Sequence, residues 1–305
     1  MTHASGSAVS VVICTHNRAA DAQRCVAAAA PQVAAQGWEL LVVDSASSSE
    51  HAQALAALPA AHPGLVLSRL EQPGLSAARN RGAELAQGDW VAYLDDDAIV
   101  QPGWAERLDA ALRALPPAVA MVGGRIEALW PDGASGAEVT PRWLLMLSCV
   151  DAPVGGRVAD GHNICGANFA IRRGALAAIG GFPTALGRVG GRLISGEESF
   201  VIRRLQQSGL DSVYDPSFGV LHCIEPQRLT RRWIAQRAYW EGVTRVVMHR
   251  ALREPFPATI APLKLLATLP LLWGLRWLRP ANPDHLIRMN LACGSLHARL
   301  KGASE

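Results

Sequence analysis

None of the six cysteines, Cys14, Cys25, Cys149, Cys165, Cys223 and Cys293, stands in a C-x-x-C pair. Their scatter excludes a zinc cage and a disulfide framework, and they read as buried reduced thiols of a cytosolic chain. No charge of one sign dominates: 29 basic residues against 26 acidic ones leave a net charge of +3. A nucleic-acid binder usually carries a basic stripe, so no nucleic-acid partner is expected. Residues 1–10 are short, polar and without a basic n-region, so they do not read as a signal peptide. No internal repeat is present.

What is there is an apolar half of 305 residues, enough for one large α/β domain or a catalytic domain with a small appendage. Ser10-Val11-Val12-Ile13-Cys14 and Leu40-Leu41-Val42-Val43 are short β-branched runs that end in polar clusters. Leu65-Val66-Leu67 and Trp90-Val91-Ala92-Tyr93-Leu94 repeat the pattern. Between them lie helical stretches at 21–35, which Pro31 should end or kink, at 50–58, ended by Pro59, and at 77–86, with Ser76 as N-cap. Alternating strands and helices predict a largely parallel sheet with helices on both faces, and ligands bind at the strand carboxyl ends of such sheets. Further on, 130–141 reads as a loop or lid, 168–171 as a strand, and the glycine-rich stretch 182–196 as a mobile segment. Residues 197–208 read as a helix, and the chain from 228 onward as helical.

Asp95-Asp96-Asp97 follows a hydrophobic strand and precedes Ala98-Ile99-Val100, an unusual setting for a solvated acidic run. Adjacent buried carboxylates repel unless paired. Mg2+ or Mn2+ would remove the conflict, since both prefer oxygen ligands and leave positions for substrate phosphates. The alternative is an acidic turn in water. Asp44, at the end of the second strand, suits a nucleobase or ribose, or else an Asx turn or helix cap. In Gly74-Leu75-Ser76-Ala77-Ala78-Arg79-Asn80-Arg81-Gly82, small residues let a helix approach the sheet. Arg79 or Arg81 there suits a diphosphate, or else is a surface arginine. Glu197-Glu198 after Ser195-Gly196 are carboxylates at a helix start, where the dipole favours them; one of them is also a suitable general base. His222 is either a core histidine or a metal ligand.

In this order and spacing the motifs resemble inverting glycosyltransferases of family 2, which have the Rossmann-like GT-A fold. The resemblance runs from about Ser10 to Leu221. It rests on Val11 to Arg18, Val42-Val43-Asp44-Ser45, Gly74 to Gly82, Gly88-Asp89-Trp90, Leu94-Asp95-Asp96-Asp97, Pro102-Gly103-Trp104, Gly166 to Arg173, Ile179-Gly180-Gly181-Phe182 and Gly196-Glu197-Glu198. It implies a mixed α/β sheet with helices on both faces. A catalytic domain would span 1–225, with a nucleotide-sugar half at about 8–104 and an acceptor half at about 105–225. A helical C-terminal extension would follow at 226–305. The resemblance further implies that Thr15, Asn17 and Arg18 line a nucleotide pocket beside Asp44 and Arg79. Asp95 and Asp97 would be the ends of a D-x-D motif, with Asp97 on the metal and Asp95 or Asp96 on the ribose; Asp95 is a further candidate metal ligand, as is His222 from its residue type alone. Glu198 would be the catalytic base, acting on an acceptor hydroxyl while a nucleotide-diphosphate sugar gives up its sugar. Two departures stand out. Asp44-Ser45-Ala46-Ser47 replaces the family's frequent Asp-Asp or Asp-Asn, so no uracil-specific readout carries over, and Glu198 stands where Asp is common.

Two other readings use some of the same residues. A nucleotidyltransferase would need a glycine-rich loop and a lysine after the first strand, where this chain has Cys14-Thr15-His16-Asn17-Arg18. A non-catalytic sugar-nucleotide or glycan-binding subunit would not need Glu198 beside three aspartates.

The C-terminal third predicts peripheral contact with the inner face of a membrane. Arg228, Arg231, Arg232, Arg237, Arg245, Arg250 and Arg253 precede an apolar run at 261–278 that Lys264, Pro270 and Arg276 interrupt. That run is short of the about 20 apolar residues of a spanning helix. Trp273 and Trp277 suit the headgroup layer, and a lipid-linked acceptor would make the placement useful. A helical cap on the catalytic domain, or an oligomer contact, is the competing reading.

Overall fold

The computed structural model describes residues 8–161, 163–189, 192–278 and 282–301. The first half alternates as expected: β1 (Val9–Thr15), α1 (Ala19–Ala35), β2 (Glu39–Asp44), α2 (Ser49–Ala56), α3 (Leu58–Ala61), β3 (Leu65–Arg69), α4 (Leu75–Leu85) and β4 (Trp90–Asp95). There follow β5 (Ala98–Val100), α5 (Trp104–Ala114), β6 (Val119–Leu129), α6 (Pro141–Met146), β7 (Gly156–Arg157), β8 (Asn168–Arg172), α7 (Arg173–Ala178), α8 (Glu197–Gln207) and β9 (Asp211–Cys223). The chain then turns helical, with α9 (Arg231–Leu252), α10 (Pro262–Leu278) and α11 (Pro283–Leu300).

The strands form one mixed sheet in the order β3-β2-β1-β4-β8-β6-β9-β5, with β7 on β9. β1 to β4 are parallel, β8 runs against both β4 and β6, and β9 is parallel to β6. Side chains alternate across it with the period of two that a strand imposes. Val11, Ile13, Leu40, Val42, Ala92 and Leu94 pack under α1 and α5. Val12, Cys14, Leu41, Val43, Val91 and Tyr93 pack on the opposite face with α4, α7 and α8. Gly82 is what allows α4 so close, since a β-carbon there would lie 2.4 Å from Val12 Cγ1.

Three local expectations are corrected. Pro31 does not end α1, which continues to Ala35 because its buried Ala22, Cys25, Val26, Ala29 and Val33 hold it on the sheet; that packing outweighs one lost hydrogen bond. Pro59 opens the short α3, in the first turn where proline is tolerated. Ser76 is not the N-cap of α4. Gly74 holds that position, and Ser76 Oγ instead donates to the Leu186 carbonyl at 2.7 Å. The described part of 182–196 is tied down by that bond and by Leu75 N–H donating to Arg188 O at 3.1 Å.

The C-terminal helices pack back on the sheet domain. Ile234 and Ala238 of α9 share a core with Leu286 and Ile287 of α11 and with Trp143 and Met146 of α6. Where α9 crosses α11 the backbones nearly touch. A β-carbon at Gly294 would lie 1.9 Å from Tyr239 O, and one at Gly242 would lie 2.1 Å from Leu291 O. Gly294→Ala therefore separates two tests. Helix propensity alone predicts a gain of about 1 kcal/mol, whereas the crossing predicts a loss of about 1–3 kcal/mol, read as a lower unfolding midpoint.

Candidate active site

The carboxyl ends of β1, β2 and β4 meet where the strand order reverses, the place where open α/β sheets bind ligands. Thr15 pairs in register with Asp44, and Cys14 with Asp95. Above these ends opens a cleft of about 790 Å3, whose other walls come from residues 195–199 and from α6, α9 and α11.

Asp96 and Asp97 are buried, so the aspartate run is not an exposed turn. Thr15 Oγ1 donates to Asp96 Oδ2 at 2.8 Å. Asp97 Oδ1 lies 3.2 Å from His222 Nε2, while its Oδ2 accepts from Arg18 Nη1 at 2.9 Å and from Arg228 Nη2 at 3.2 Å. The sequence neighbourhood held no such cations; they arrive from β9, from the segment after it and from the loop after β1. Burial would raise the Asp97 carboxyl, but His222, Arg18 and Arg228 hold it well below the usual range. Burial would lower His222, but Asp97 pushes it up to about 10. Burial drives Asp96 up to about 7 against the pull of Arg18, with the charge of Asp97 adding to the rise.

A second charged knot surrounds Arg79, which is 2% exposed and so no surface arginine. Its Nη1 donates to Glu197 Oε1 at 2.8 Å and to Glu198 Oε1 at 2.9 Å, and its Nη2 donates to Asp95 Oδ1 at 3.2 Å. Phe169 and Phe182 lie against the guanidinium at 5.5 and 5.7 Å. Arg79 was expected to face a diphosphate; it is engaged by three carboxylates instead, because α8 begins directly opposite α4. A β-carbon on Gly166 would fall 2.2 Å from Glu198 Oε1 and 2.3 Å from Arg79 Nη2.

Glu197 is buried, and its Oε2 has no partner among the described residues. Burial, then the charge of Glu198, pushes it up to about 7 although Arg79 pulls the other way. A carboxyl raised on folding stabilises the fold below its unfolded pKa and loses that contribution as pH climbs through the folded value. Wild type should therefore lose unfolding temperature relative to Glu197→Gln between about pH 4.5 and 7; parallel curves would exclude this titration.

The remaining expected residues sit differently from one another. Arg18 lines the cleft. Asn17, at φ 56°, turns its Oδ1 to accept from Ser48 N–H at 2.7 Å, fastening the loop after β2 rather than lining the cleft. Asp44 is buried, accepts from Ser47 N–H at 2.9 Å in an Asx turn, and is ion-paired to Arg69. Asp95 is engaged by Arg79, and Asp97 and His222 are ion-paired with each other. Among the described residues no three His, Cys, Asp or Glu side chains converge as a metal cage. A divalent ion held there would have to replace the proton between His222 Nε2 and Asp97, with phosphate oxygens and water in its other positions.

Sequence reasoning missed Arg228 and Arg237 as cleft residues and grouped them with a basic surface stretch. Arg228 is buried on Asp97, and Arg237, also buried, donates from Nη2 to Ser195 Oγ at 3.0 Å. Arg237 and Arg245 both pair with Glu241. Helical spacing on α9 could have shown Arg237, Glu241 and Arg245 as one stripe. Nothing in the spacing marked Arg228. All six cysteines are unpaired, with Cys14, Cys25 and Cys149 buried and the other three partly exposed.

The family model for glycosyl transferase family 2 matches residues 10–180. A glucosyl-dolichyl phosphate glucuronosyltransferase of Haloferax volcanii is 34% identical over 182 residues, 58% of this chain and 56% of that protein. A pre-mycofactocin glycosyltransferase of Mycobacterium tuberculosis is 29% identical over 240 residues, 77% of this chain and 46% of that protein. The chain thus spans about half the length of these two relatives. A solved mannosyltransferase of Pyrobaculum calidifontis in complex with GDP-Man and Mn2+ superposes with a TM-score of 0.58 at 22% identity, covering 100% of this chain and 77% of that one. The shared arrangement is the GT-A fold, a curled mixed sheet between helices.

Proposed function

The chain belongs to glycosyl transferase family 2, and from that premise we propose that it moves a sugar from a nucleotide-diphosphate donor to an acceptor hydroxyl, inverting the anomeric carbon. The observation that carries this reading is a single cleft that joins Glu198, fixed by Arg79, to the Asp97–His222 pair. Glu198 Oε1 is held at a helix start, in contact with the Arg79 guanidinium. It takes the proton of the acceptor hydroxyl as that oxygen attacks the anomeric carbon. The bond from that carbon to the diphosphate oxygen breaks, and the diphosphate leaves. One base and one displacement give inversion.

Thr15, Arg18, Asp95 and Asp96 border the donor in this reading, and Asn17 and Asp44 hold the loops beside it. Asp97 and His222 would hold Mn2+ or Mg2+, which when bound neutralises charge on the leaving diphosphate. A thermal-shift screen of UDP-, GDP- and dTDP-sugars with and without Mn2+ tests the donor class, because a ligand of the folded state raises its melting temperature. Metal-dependent donor hydrolysis separates an enzyme from a binding subunit. No shift with any nucleotide sugar would remove the reading.

Gly166→Ala tests the base geometry. Its new methyl group must push Glu198 away from Arg79, and a displacement of about 1 Å can cost ~10²-fold in turnover. Nucleotide-sugar affinity should stay within a few-fold. Unchanged turnover would mean that the contact with Arg79 does not position the base.

A lipid-linked acceptor fits the name of the Haloferax volcanii relative. It also fits α10, where Leu271, Trp273, Trp277 and Leu278 are each 65–75% exposed on a helix too short and too little apolar to cross a membrane. The electrostatic half of the membrane expectation is reduced by Arg228 and Arg237 turning inward. The side chain of Arg276 and residues 279–281 lie outside the described residues. Apolar insertion of the two tryptophans then supplies the contact. Trp273→Ser with Trp277→Ser should abolish flotation with anionic liposomes, and wild type that ignores those liposomes at low salt would leave only packing or self-association for this face.

A further inference from the structure

Arg188 differs from the other arginines of the cleft. Arg18 and Arg228 are held by Asp97, Arg79 by three carboxylates, and Arg237 and Arg245 by Glu241. Arg188 lines the same cleft, yet among the described residues its side chain has neither hydrogen bond nor ion pair. Its backbone is not loose: its carbonyl accepts from Leu75 N–H at 3.1 Å, and Leu186 two residues earlier is fully buried and bonded to Ser76. The chain therefore holds a half-buried guanidinium over the strand ends and gives it no counter-charge.

Burial, then Arg228, then Arg237 pull the Arg188 guanidinium below its ordinary pKa, and Asp95 and Asp97 only partly offset them. A cation kept in a desolvated, like-charged setting is costly unless an anion joins it. None of the cleft's carboxylates pairs with Arg188 among the described residues, so its counter-anion is to come from outside the chain. A planar fork of N–H donors suits phosphate oxygens in particular.

We propose that Arg188, with Arg237 beside it on the cleft wall, forms a phosphoryl-anion subsite separate from the Asp97–His222 pair. The proposal rests on the reading of the cleft as a site for a diphosphate-activated donor. Its ligand is either the donor's diphosphate or a phosphate on the acceptor's carrier. In the first case Arg188 stabilises the leaving group; in the second it selects an acceptor that bears phosphate.

The test is calorimetric titration of inorganic pyrophosphate into the full chain in EDTA, which removes any route through a divalent ion. Wild type should bind, Arg188→Gln should bind at least ~10-fold more weakly, the worth of one charge-assisted hydrogen bond, and Arg188→Lys should fall between. Arg237→Gln should show a smaller loss. Parallel titrations with UDP, GDP and a short prenyl phosphate assign the source. A loss confined to the nucleoside diphosphates names the donor, and a loss confined to the prenyl phosphate names the acceptor. No binding by wild type in EDTA, or equal binding by wild type and Arg188→Gln, overturns the proposal. Because no sugar transfer is measured, failure of the glycosyltransfer reading would appear separately, as pyrophosphate binding without any turnover of a nucleotide sugar.

Discussion

Glu198→Gln should bind nucleotide sugar as wild type does and turn it over at least ~100-fold more slowly, the ordinary worth of a general base. The amide keeps the size of the side chain and can still accept from Arg79 through its oxygen, so the α4–α8 contact survives. What is lost is the capacity to take a proton. Glu197 is the control. It shares Arg79, but it is buried at 2% exposure, whereas the Glu198 side chain is 13% exposed at the cleft. Single-turnover rates with saturating donor, alongside donor affinity by titration, check the split. Near-normal turnover in Glu198→Gln, with loss in Glu197→Gln, would transfer the role to Glu197.

Asp97→Asn should remove transfer almost entirely, by ~10³-fold or more, the scale on which electrostatic stabilisation of developing charge is lost. Two causes are separable. The substitution takes away the carboxylate of the Asp97–His222 pair, and it leaves Arg18, Arg228 and His222 around a neutral amide. Breaking a buried ion pair from one side typically costs about 3–5 kcal/mol of stability, so a lower melting temperature is expected as well. Chelation of wild type isolates the first cause, because it leaves the ion pairs intact. Turnover that survives EDTA would refute the metal role while leaving Asp97 as a structural anion.

The sheet was legible because its strands are β-branched runs cut off by polar clusters, and a parallel strand buried on both faces needs such a run. Asp95 to Asp97 stood out because carboxylates in apolar surroundings demand a partner, and Glu198 because two carboxylates open a helix after Gly196. The identity of the partners was not legible. Arg228 meets Asp97 across 131 positions, and Arg79 meets Glu198 across 119; no local pattern encodes such meetings. Asn17 and Asp44 show the converse. Their types suited a nucleotide pocket, and the same short polar side chains satisfy loop N–H groups, Asp44 within its own turn at Ser47 and Asn17 across 31 positions at Ser48. Ser76 was misread because a local capping preference of about 1 kcal/mol yields to a long-range hydrogen bond, and Pro31 does not end α1 because a packed helix face outweighs its cost.

The segment that delivers Glu198 leans on α9. Ser195 N–H donates to Thr244 Oγ1 at 3.1 Å, Arg237 reaches Ser195 Oγ, and a β-carbon on Gly196 would lie 2.7 Å from Thr244 Cγ2. α9 in turn rests on α11 through the Gly242 and Gly294 crossing, and α10 packs on α11. A change in the tail helices therefore has a packed route, through α11 and α9, to the segment that precedes α8. Removing 259–305 would strip α9 of its α11 partner, so truncation should loosen residues 195–196 as well, and a clean test of the tail needs point substitutions on the exposed side of α10.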